Sequence, residues 1–303
     1  VAGLFSSPFL PAFFIPLMQY HIWHPRFAGA LLLLTLLGAA GPGPKRPRPA
    51  AAPRYSFKEL IWREEFNYTG QPDSSKWGYD VGGHGWGNKE LQYYTKARPE
   101  NARVENGHLV IEARKESLNE KNPYTSARLV SKAQGGGSLA YGRVEVRAQL
   151  PAARGTWPAI WMLPDDWKYG DKGWPDNGEI DIMEYVGYRP GIVQATTHCR
   201  KYYFRTNTQK TDSIAVPTAT TAYHVYAVEW TPETITAFVD NKPYFTSRNE
   251  HSGWQAWPWD HPFHLLLNVA VGGEWGGKKG VDAAGFPQQL LVDYVRFYRL
   301  KQD

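Results

Sequence analysis

The run Arg143-Val144-Glu145-Val146-Arg147-Ala148-Gln149-Leu150 alternates polar and apolar residues without a break. A period of two is the pattern of a strand with one face in a core and the other in water. Similar signals recur along the chain. Val104 to Ala113 holds Asn106-Gly107, a hairpin turn between two short strands. Tyr223 to Trp230 and Thr234 to Val239 flank Thr231-Pro232-Glu233, with Asp240-Asn241 as the next turn. Phe263 to Val271 and Leu290 to Leu300 are further strands. Between Tyr55 and Asp303 no stretch reads as a long, well-capped amphipathic helix. Many short strands joined by Gly- and Pro-rich connections predict an all-β sandwich or barrel.

The first 54 residues differ in kind. Pro8, Pro11 and Pro16 break the apolar segment before Met18 and argue against a membrane helix there. From Met18 the chain reads as an export signal. His24 and Arg26 form a short positive region, Ala28 to Ala40 an apolar core, and Gly38 to Gly41 the small residues of a cleavage site. That core is short for a membrane span, which leaves an uncleaved anchor as the alternative and no stable span as the expectation. Residues 1–40 are thus a leader, and Gly41 to Arg54, rich in Pro, Ala and Arg, is an extended linker. Five of the 34 basic residues (Arg26, Lys45, Arg46, Arg48 and Arg54) precede Tyr55 and no acidic residue does. The remaining bases balance the 29 acids, so the basic charge belongs to the leader and linker and gives no support for nucleic-acid binding.

Residues 55–303 form one domain, with no internal repeat and no second linker. Cys199 is the only cysteine, which excludes an intramolecular disulfide. An exported domain of this kind must rely on its core, for which 12 of the chain's 13 Trp are available, or on a bound ion.

The stretch Gly178-Glu179-Ile180-Asp181-Ile182-Met183-Glu184-Tyr185 sets three carboxylates in an otherwise apolar, β-prone run. On a regular strand Glu179, Asp181 and Met183 share a face and Glu184 points away. One extra residue, a β-bulge near Met183, returns Glu184 to the face of Glu179 and Asp181. A helix does less well, because Glu179 and Glu184 lie five apart and diverge. Three like charges on one face are costly unless they serve chemistry. Glycosidic bond cleavage needs two carboxyl groups, one ionised to attack the sugar and one protonated for the leaving oxygen. Crowding raises the pKa of the one that must keep its proton. The other readings are a solvated charged edge, which the apolar spacers disfavour, and a divalent metal site, for which Asp, Asn and Gly in a loop are the usual pattern.

Aromatic residues gather around this strand in the sequence. Trp157 and Trp161 are four apart and share a face on a strand, either as sugar platforms or as core. Gly82-Gly83-His84-Gly85-Trp86-Gly87-Asn88 is too glycine-rich for a strand interior and forms a loop that offers Trp86 and Asn88. Gly272-Gly273-Glu274-Trp275-Gly276-Gly277 is a second loop of the same kind. His198 ends the strand after the acidic one and is expected to point into the cleft with Glu179, or else to be a hydrogen-bonded core histidine. A nucleophilic pair with Cys199 is disfavoured, since adjacent strand residues face opposite ways.

The residues Glu179-Ile180-Asp181-Ile182-Met183-Glu184 resemble the bulged E-x-D-x-x-E signature of family 16 of the glycoside hydrolases. Trp86 to Tyr94, Tyr141 to Glu145, Gly155 to Pro164 and Val292 to Arg296 are similar to its laminarinase-like members. The resemblance runs from about Phe57 to Tyr298. It implies a β-jelly-roll sandwich of two antiparallel sheets with a concave, open, endo-acting cleft. It implies retention of anomeric configuration, with Glu179 as nucleophile, Glu184 as acid and then base, and Asp181 hydrogen-bonded to Glu179. The two catalytic carboxyl groups are then expected about 5–5.5 Å apart. Trp157, Trp161, Asn88, His198 and Trp275 match positions lining the subsites before the cleaved bond. No cofactor is needed for catalysis. A structural Ca2+ on the convex face is implied, held by the backbone carbonyls of Glu65 and Gly107 and the carboxylate of Asp293.

Two departures from similar sequences bear on substrate. Glu274 stands where Asn is more usual, and a carboxylate there alters contacts to the sugar or to a neighbouring base. Cys199 follows His198 where Thr is frequent, and Arg200 and Lys201 then either meet an anionic sugar or are solvated. The expectation is an exported, monomeric endo-β-1,3-glucanase acting on laminarin-like β-glucan. The alternatives are a mixed-linkage β-glucan or galactan hydrolase, a transglycosylase, and a non-catalytic glucan-binding protein on the same fold.

Overall fold

The alternation at Arg143 to Leu150 becomes strand β9 (Gly142–Gln149), with Val144, Val146 and Ala148 inside and Glu145, Arg147 and Gln149 half-buried on the outer face. In the computed structural model, which describes residues 54–132 and 135–303, this strand sits mid-sheet. Its neighbours on one side are β14 (His224–Trp230), β15 (Thr234–Val239) and β16 (Lys242–Arg248). On the other lie β18 (Gln288–Gln302), β5 (His108–Ala113) and β4 (Ala102–Glu105), and β1 (Tyr55–Glu64) also pairs with β18. The second sheet runs β13 (Lys210–Ala215), β12 (Ile192–His198), β11 (Glu179–Tyr185), β10 (Thr156–Pro164), β17 (Phe263–Val271), β7 (Arg128–Ser131) and β2 (Trp77–Tyr79). β8 (Ser138–Leu139) also pairs with β17, and both sheets are antiparallel throughout. β3 (Gln92–Tyr94) and β6 (Tyr124–Ser126) form a small parallel pair. Two antiparallel sheets, in described residues that are almost wholly β, give the expected jelly-roll sandwich.

The turns obey their residues. Asn106 and Gly107 both have positive φ, 53° and 79°, as a two-residue hairpin matched to the strand twist requires. Asp240 and Asn241 do the same between β15 and β16. The inner faces meet in one continuous core that joins Val144, Val146 and Phe297 of one sheet to Ile160, Ile180 and Leu265 of the other. Each aliphatic side chain buried this completely contributes roughly 1.5–3 kcal/mol of transfer free energy. At one end Trp62 packs on Phe297 and edge-on against Trp77, with ring centroids 4.9 and 5.9 Å apart. Arg143, though buried, is satisfied by Glu145, Glu229 and Asn241 at 2.7–2.8 Å, so its desolvation is offset by charge-assisted hydrogen bonds.

The described residues belong to the compact unit Ala52–Asp303. The leader and, apart from Arg54, the linker lie outside the described residues. Among the described residues no helix is long and apolar enough to cross a membrane.

Candidate active site

β11 lies near the middle of the second sheet, between β10 and β12. Its approach is fixed by the preceding loop. The Asn177 side chain, fully buried, accepts from Tyr169 N at 2.7 Å and donates to Tyr169 O at 3.1 Å. Asp176, also buried, accepts from Asp171 N at 3.0 Å and Arg200 Nη1 at 3.1 Å. Gly178 then enters the strand at φ +86°, where any Cβ would stand 2.6 Å from Trp259 Nε1. Only glycine fits that turn.

The bulge is present. On the β12 side the register runs Asp181↔Thr196 and then Glu184↔Gln194, three steps against two. On the β10 side Met183 faces Ile160 and Asp181 faces Trp161, which skips Ile182. Ile182 and Met183 therefore both enter the core, and Glu184 returns to the face of Glu179 and Asp181.

The three carboxylates have different surroundings. Glu179 Oε2 accepts the indole N–H of Trp174 at 2.6 Å. Glu184 Oε1 accepts from Trp157 Nε1 at 3.1 Å, and its Oε2 lies 3.5 Å from Thr196 Oγ1. Burial, with the Glu179 charge added, nevertheless pushes the Glu184 carboxyl up to about 8, so it holds a proton at neutral pH. Asp181 is 3% exposed, and burial together with the charges of Glu179 and Glu184 drives it well above the carboxylate range. His198 pairs with Glu179 across the ladder, and its Nε2 is 3.4 Å from Asp181 Oδ2. Burial lowers the His198 pKa against the pull of Glu179, which favours neutral imidazole. Donor atoms of Glu179, Asp181 and His198 lie within 4.8 Å of one another, a spacing that a cation could also use.

Two adjoining hollows of about 300 and 400 Å3 meet over these groups, with Asn88, Trp157 and Glu184 in the wall of both. Every cleft residue expected from the sequence is in those walls: Trp86, Asn88, Trp157, Trp161, His198, Glu274 and Trp275. The two Gly-Trp loops touch, with Glu274 N donating to Asn88 O at 2.7 Å, and Trp275 meets Trp157 edge-on at 5.2 Å. Glu274 forms a 2.7 Å ion pair with Lys89, so the departure at that position engages a neighbouring base. Arg200 pairs with Asp176 and Lys201 with Glu250, rather than lining either hollow. Cys199 is buried away from the cleft, and burial raises its thiol to about 11, which suits no nucleophile.

Several lining residues carried no sequence signal. Trp174, alone in a Pro/Gly loop, shows no periodicity that would aim it at Glu179. Glu90 accepts from Asn88 at 3.2 Å and Gln92 at 2.6 Å and is held above the usual carboxylate range by burial. Asn268 takes the Trp161 indole N–H at 2.7 Å and donates to Tyr94 Oη at 3.0 Å. The Arg128 guanidinium sits 4.7 Å from the Trp86 ring and 4.5 Å from that of Trp161, which fixes both indoles. Long-range register brings these together: Arg128 faces Asn268 across β7 and β17.

Glu65, Gly107 and Asp293 lie elsewhere, on the first sheet. β1 and β5 both pair with β18, ending at Glu64↔Val295 and Val292↔Leu109. Glu65 and the turn at Gly107 thus approach β18 next to Asp293, which is bulged out of the β9 pairing. Two carbonyls and a carboxylate are donors of the hard type that Ca2+ takes, so the set fits in chemistry. The Asp293 carboxylate is paired with Arg147 and that of Glu65 with Arg296, so an ion would share or displace the first of these.

Comparison with known proteins agrees with this geometry. Residues 89–296 match the model of the "Glycosyl hydrolases family 16". A beta-glucanase of Rhodothermus marinus is 56% identical over 275 residues, covering 89% of this chain and 93% of that protein. A glucan endo-1,3-beta-glucosidase A1 of Niallia circulans is 38% identical over 82% of this chain and 39% of its own length. The solved laminarinase of Rhodothermus marinus superimposes with a TM-score of 0.78 at 57% identity, covering 83% of this chain and 100% of that one.

Proposed function

The chain belongs to the glycosyl hydrolases of family 16, and on that premise we propose that it is a retaining endo-β-1,3-glucanase hydrolysing laminarin-like β-glucan. The observation that carries the mechanism is the unlike state of two carboxyl groups on one strand face. Glu184 is protonated at neutral pH, with its pKa near 8, whereas Glu179 accepts a short N–H bond suited to a carboxylate. Glu179 attacks the anomeric carbon as Glu184 gives its proton to the departing glycosidic oxygen. The C–O bond to the leaving chain breaks and an ester to Glu179 forms. Glu184, now ionised, takes a proton from water, and that water opens the ester with net retention. Asp181, pushed toward its protonated form by burial and by the Glu179 and Glu184 charges, hydrogen-bonds Glu179 and moderates charge at the nucleophile. Trp86, Trp157, Trp161 and Trp275 offer flat faces to the apolar C–H surfaces of the sugars, with Asn88, His198 and Glu274 as polar contacts.

No cofactor takes part in this chemistry. A structural Ca2+ at the Glu65 and Gly107 carbonyls and the Asp293 carboxylate is a further part of the reading, supported by the pairings that bring Glu65 and the Gly107 turn to β18 near Asp293. So is export by the leader at residues 1–40, supported by its apolar core and small-residue site.

The test is product release from laminarin, lichenan and agarose by wild type and Glu179→Gln. Laminari-oligosaccharides abolished by the substitution support the reading. Products only from lichenan or agarose move the substrate to a mixed-linkage glucan or a galactan. Binding without products from any of the three points to a glucan-binding protein.

A further inference from the structure

A bulge leaves main-chain groups without ladder partners, and in a buried strand those groups need another partner. Ile182 is the residue left out here: neither β10 nor β12 supplies it a register partner. It is fully buried. Its carbonyl is met from the opposite sheet. Tyr244 Oη donates to Ile182 O at 3.2 Å.

Tyr244 reaches that carbonyl because β16 has an irregularity of its own. Ala237 pairs with Phe245 and Phe238 with Pro243, so Tyr244 is skipped in the ladder with β15. Along β16, Phe245 and Ser247 are the inward, buried positions. Regular alternation would send Tyr244 to the outer face with Thr246. The extra residue turns its phenol inward, where it packs against the core beside Phe245. Two irregular residues, one in each sheet, are thus joined by one hydrogen bond.

We propose that Tyr244 is a positioning residue for the acid Glu184, holding the bulge that returns Glu184 to the face of Glu179. Without the phenol, the buried Ile182 carbonyl loses its side-chain donor, at a cost reduced if the strand relaxes toward regular pairing. A regular β11 would turn Glu184 away from the cleft. Tyr244 touches no substrate, so its effect passes through the backbone alone. The proposal rests on Glu184 being the acid of the proposed reaction.

The test compares Tyr244→Phe with Phe245→Leu. The first deletes one hydroxyl; the second loosens the same strand, where Phe245 packs with Ala195, Ala237 and Tyr244, but keeps the phenol that meets Ile182. Both are assayed below their melting temperatures, with kcat, KM and the pH profile measured on laminarin. Groups facing Glu184 are Glu179 and Asp181 on its own strand, His198 on β12 beside Asp181, and Tyr244 from below, with Asp212 of β13 near the phenol. All but Tyr244 are unchanged in both variants. Tyr244→Phe is expected to lose about 10- to 100-fold in kcat, the range for a small misplacement of a catalytic group. KM should stay within about twofold, and the alkaline limb of the profile should move to higher pH as Glu184 turns from Trp157 and Thr196 toward the apolar space between the sheets. Phe245→Leu should keep the wild-type limb. Wild-type kcat and limb in Tyr244→Phe, or the same shift in both variants, overturns the proposal. If Glu184→Gln itself keeps full activity, the assignment of the acid fails instead, whatever Tyr244 does.

Discussion

Trp174 and Glu179 are joined by a 2.6 Å hydrogen bond from indole Nε1 to carboxylate Oε2. In the proposed mechanism the bond fixes the carboxylate plane and leaves the other oxygen for the sugar. Trp174→Phe keeps most of the packing against His198 and Phe204 and removes the donor. The expected result is a fall of about 10-fold in kcat, the worth of one charge-assisted bond of roughly 1.5 kcal/mol. Circular dichroism should show the fold intact. Unchanged kcat would mean that packing alone orients Glu179.

As the proposed acid, Glu184 must carry its proton into the first step. Its pKa near 8 lies above the ordinary carboxyl value, so the active fraction is full below that pH and falls as pH rises through it. The kcat/KM profile on laminarin should have an alkaline limb near pH 8. Glu184→Gln should lose about 10²- to 10⁴-fold in rate and lose that limb as well. A limb retained in Glu184→Gln would assign it to another group.

The same burial weakens the fold. Unfolded, Glu184 titrates near 4.5; folded, near 8. Between these values the folded state holds a proton that the unfolded state has released, so stability falls as pH rises through that window. Gln carries no such cost. Glu184→Gln should therefore be more stable than wild type at pH 7, by about 1–3 kcal/mol, with the gap closing toward pH 4.5. Urea melts at pH 4.5 and pH 7 read the difference. A mutant equally or less stable at pH 7 would show that the site holds no such strain.

Calcium should act on stability and leave the chemistry alone. If Glu65, Gly107 and Asp293 hold the ion, EDTA should lower the melting temperature and added Ca2+ restore it. At 100-fold excess over the dissociation constant the shift corresponds to about 2.7 kcal/mol. Asp293→Ala should melt at the same temperature with and without calcium. A wild type indifferent to EDTA would leave the Asp293–Arg147 ion pair as the whole function of that carboxylate.

The sandwich was legible because alternation is local: Val144, Val146 and Ala148 announce their common face within eight residues. The carboxylate strand was legible for the same reason, down to the bulge, because Glu184 falls out of phase with Glu179 by one residue. Trp86 and Trp275 could be placed because glycine-rich loops expose what they carry. Trp174, Arg128 and Asn268 could not, since their roles arise from register between strands far apart in sequence. Tyr244 was hidden more deeply. Its inward turn depends on an irregularity opposite Ala237 and Phe238 that no turn residue marks. Cys199, just past the end of β12, is buried with its Sγ 3.7 Å from Ala256 O and does not line the hollow that His198 lines.

The most direct test of the double displacement is the anomer first released. Proton NMR of laminarin hydrolysis, followed from the first minute before mutarotation, distinguishes the two courses. Attack by Glu179, with Glu184 as acid and then base, predicts that the β-anomer of the new reducing end appears first and the α-anomer only as equilibrium is approached. Initial release of the α-anomer would mean direct attack by water, and Glu179 could then not be the nucleophile.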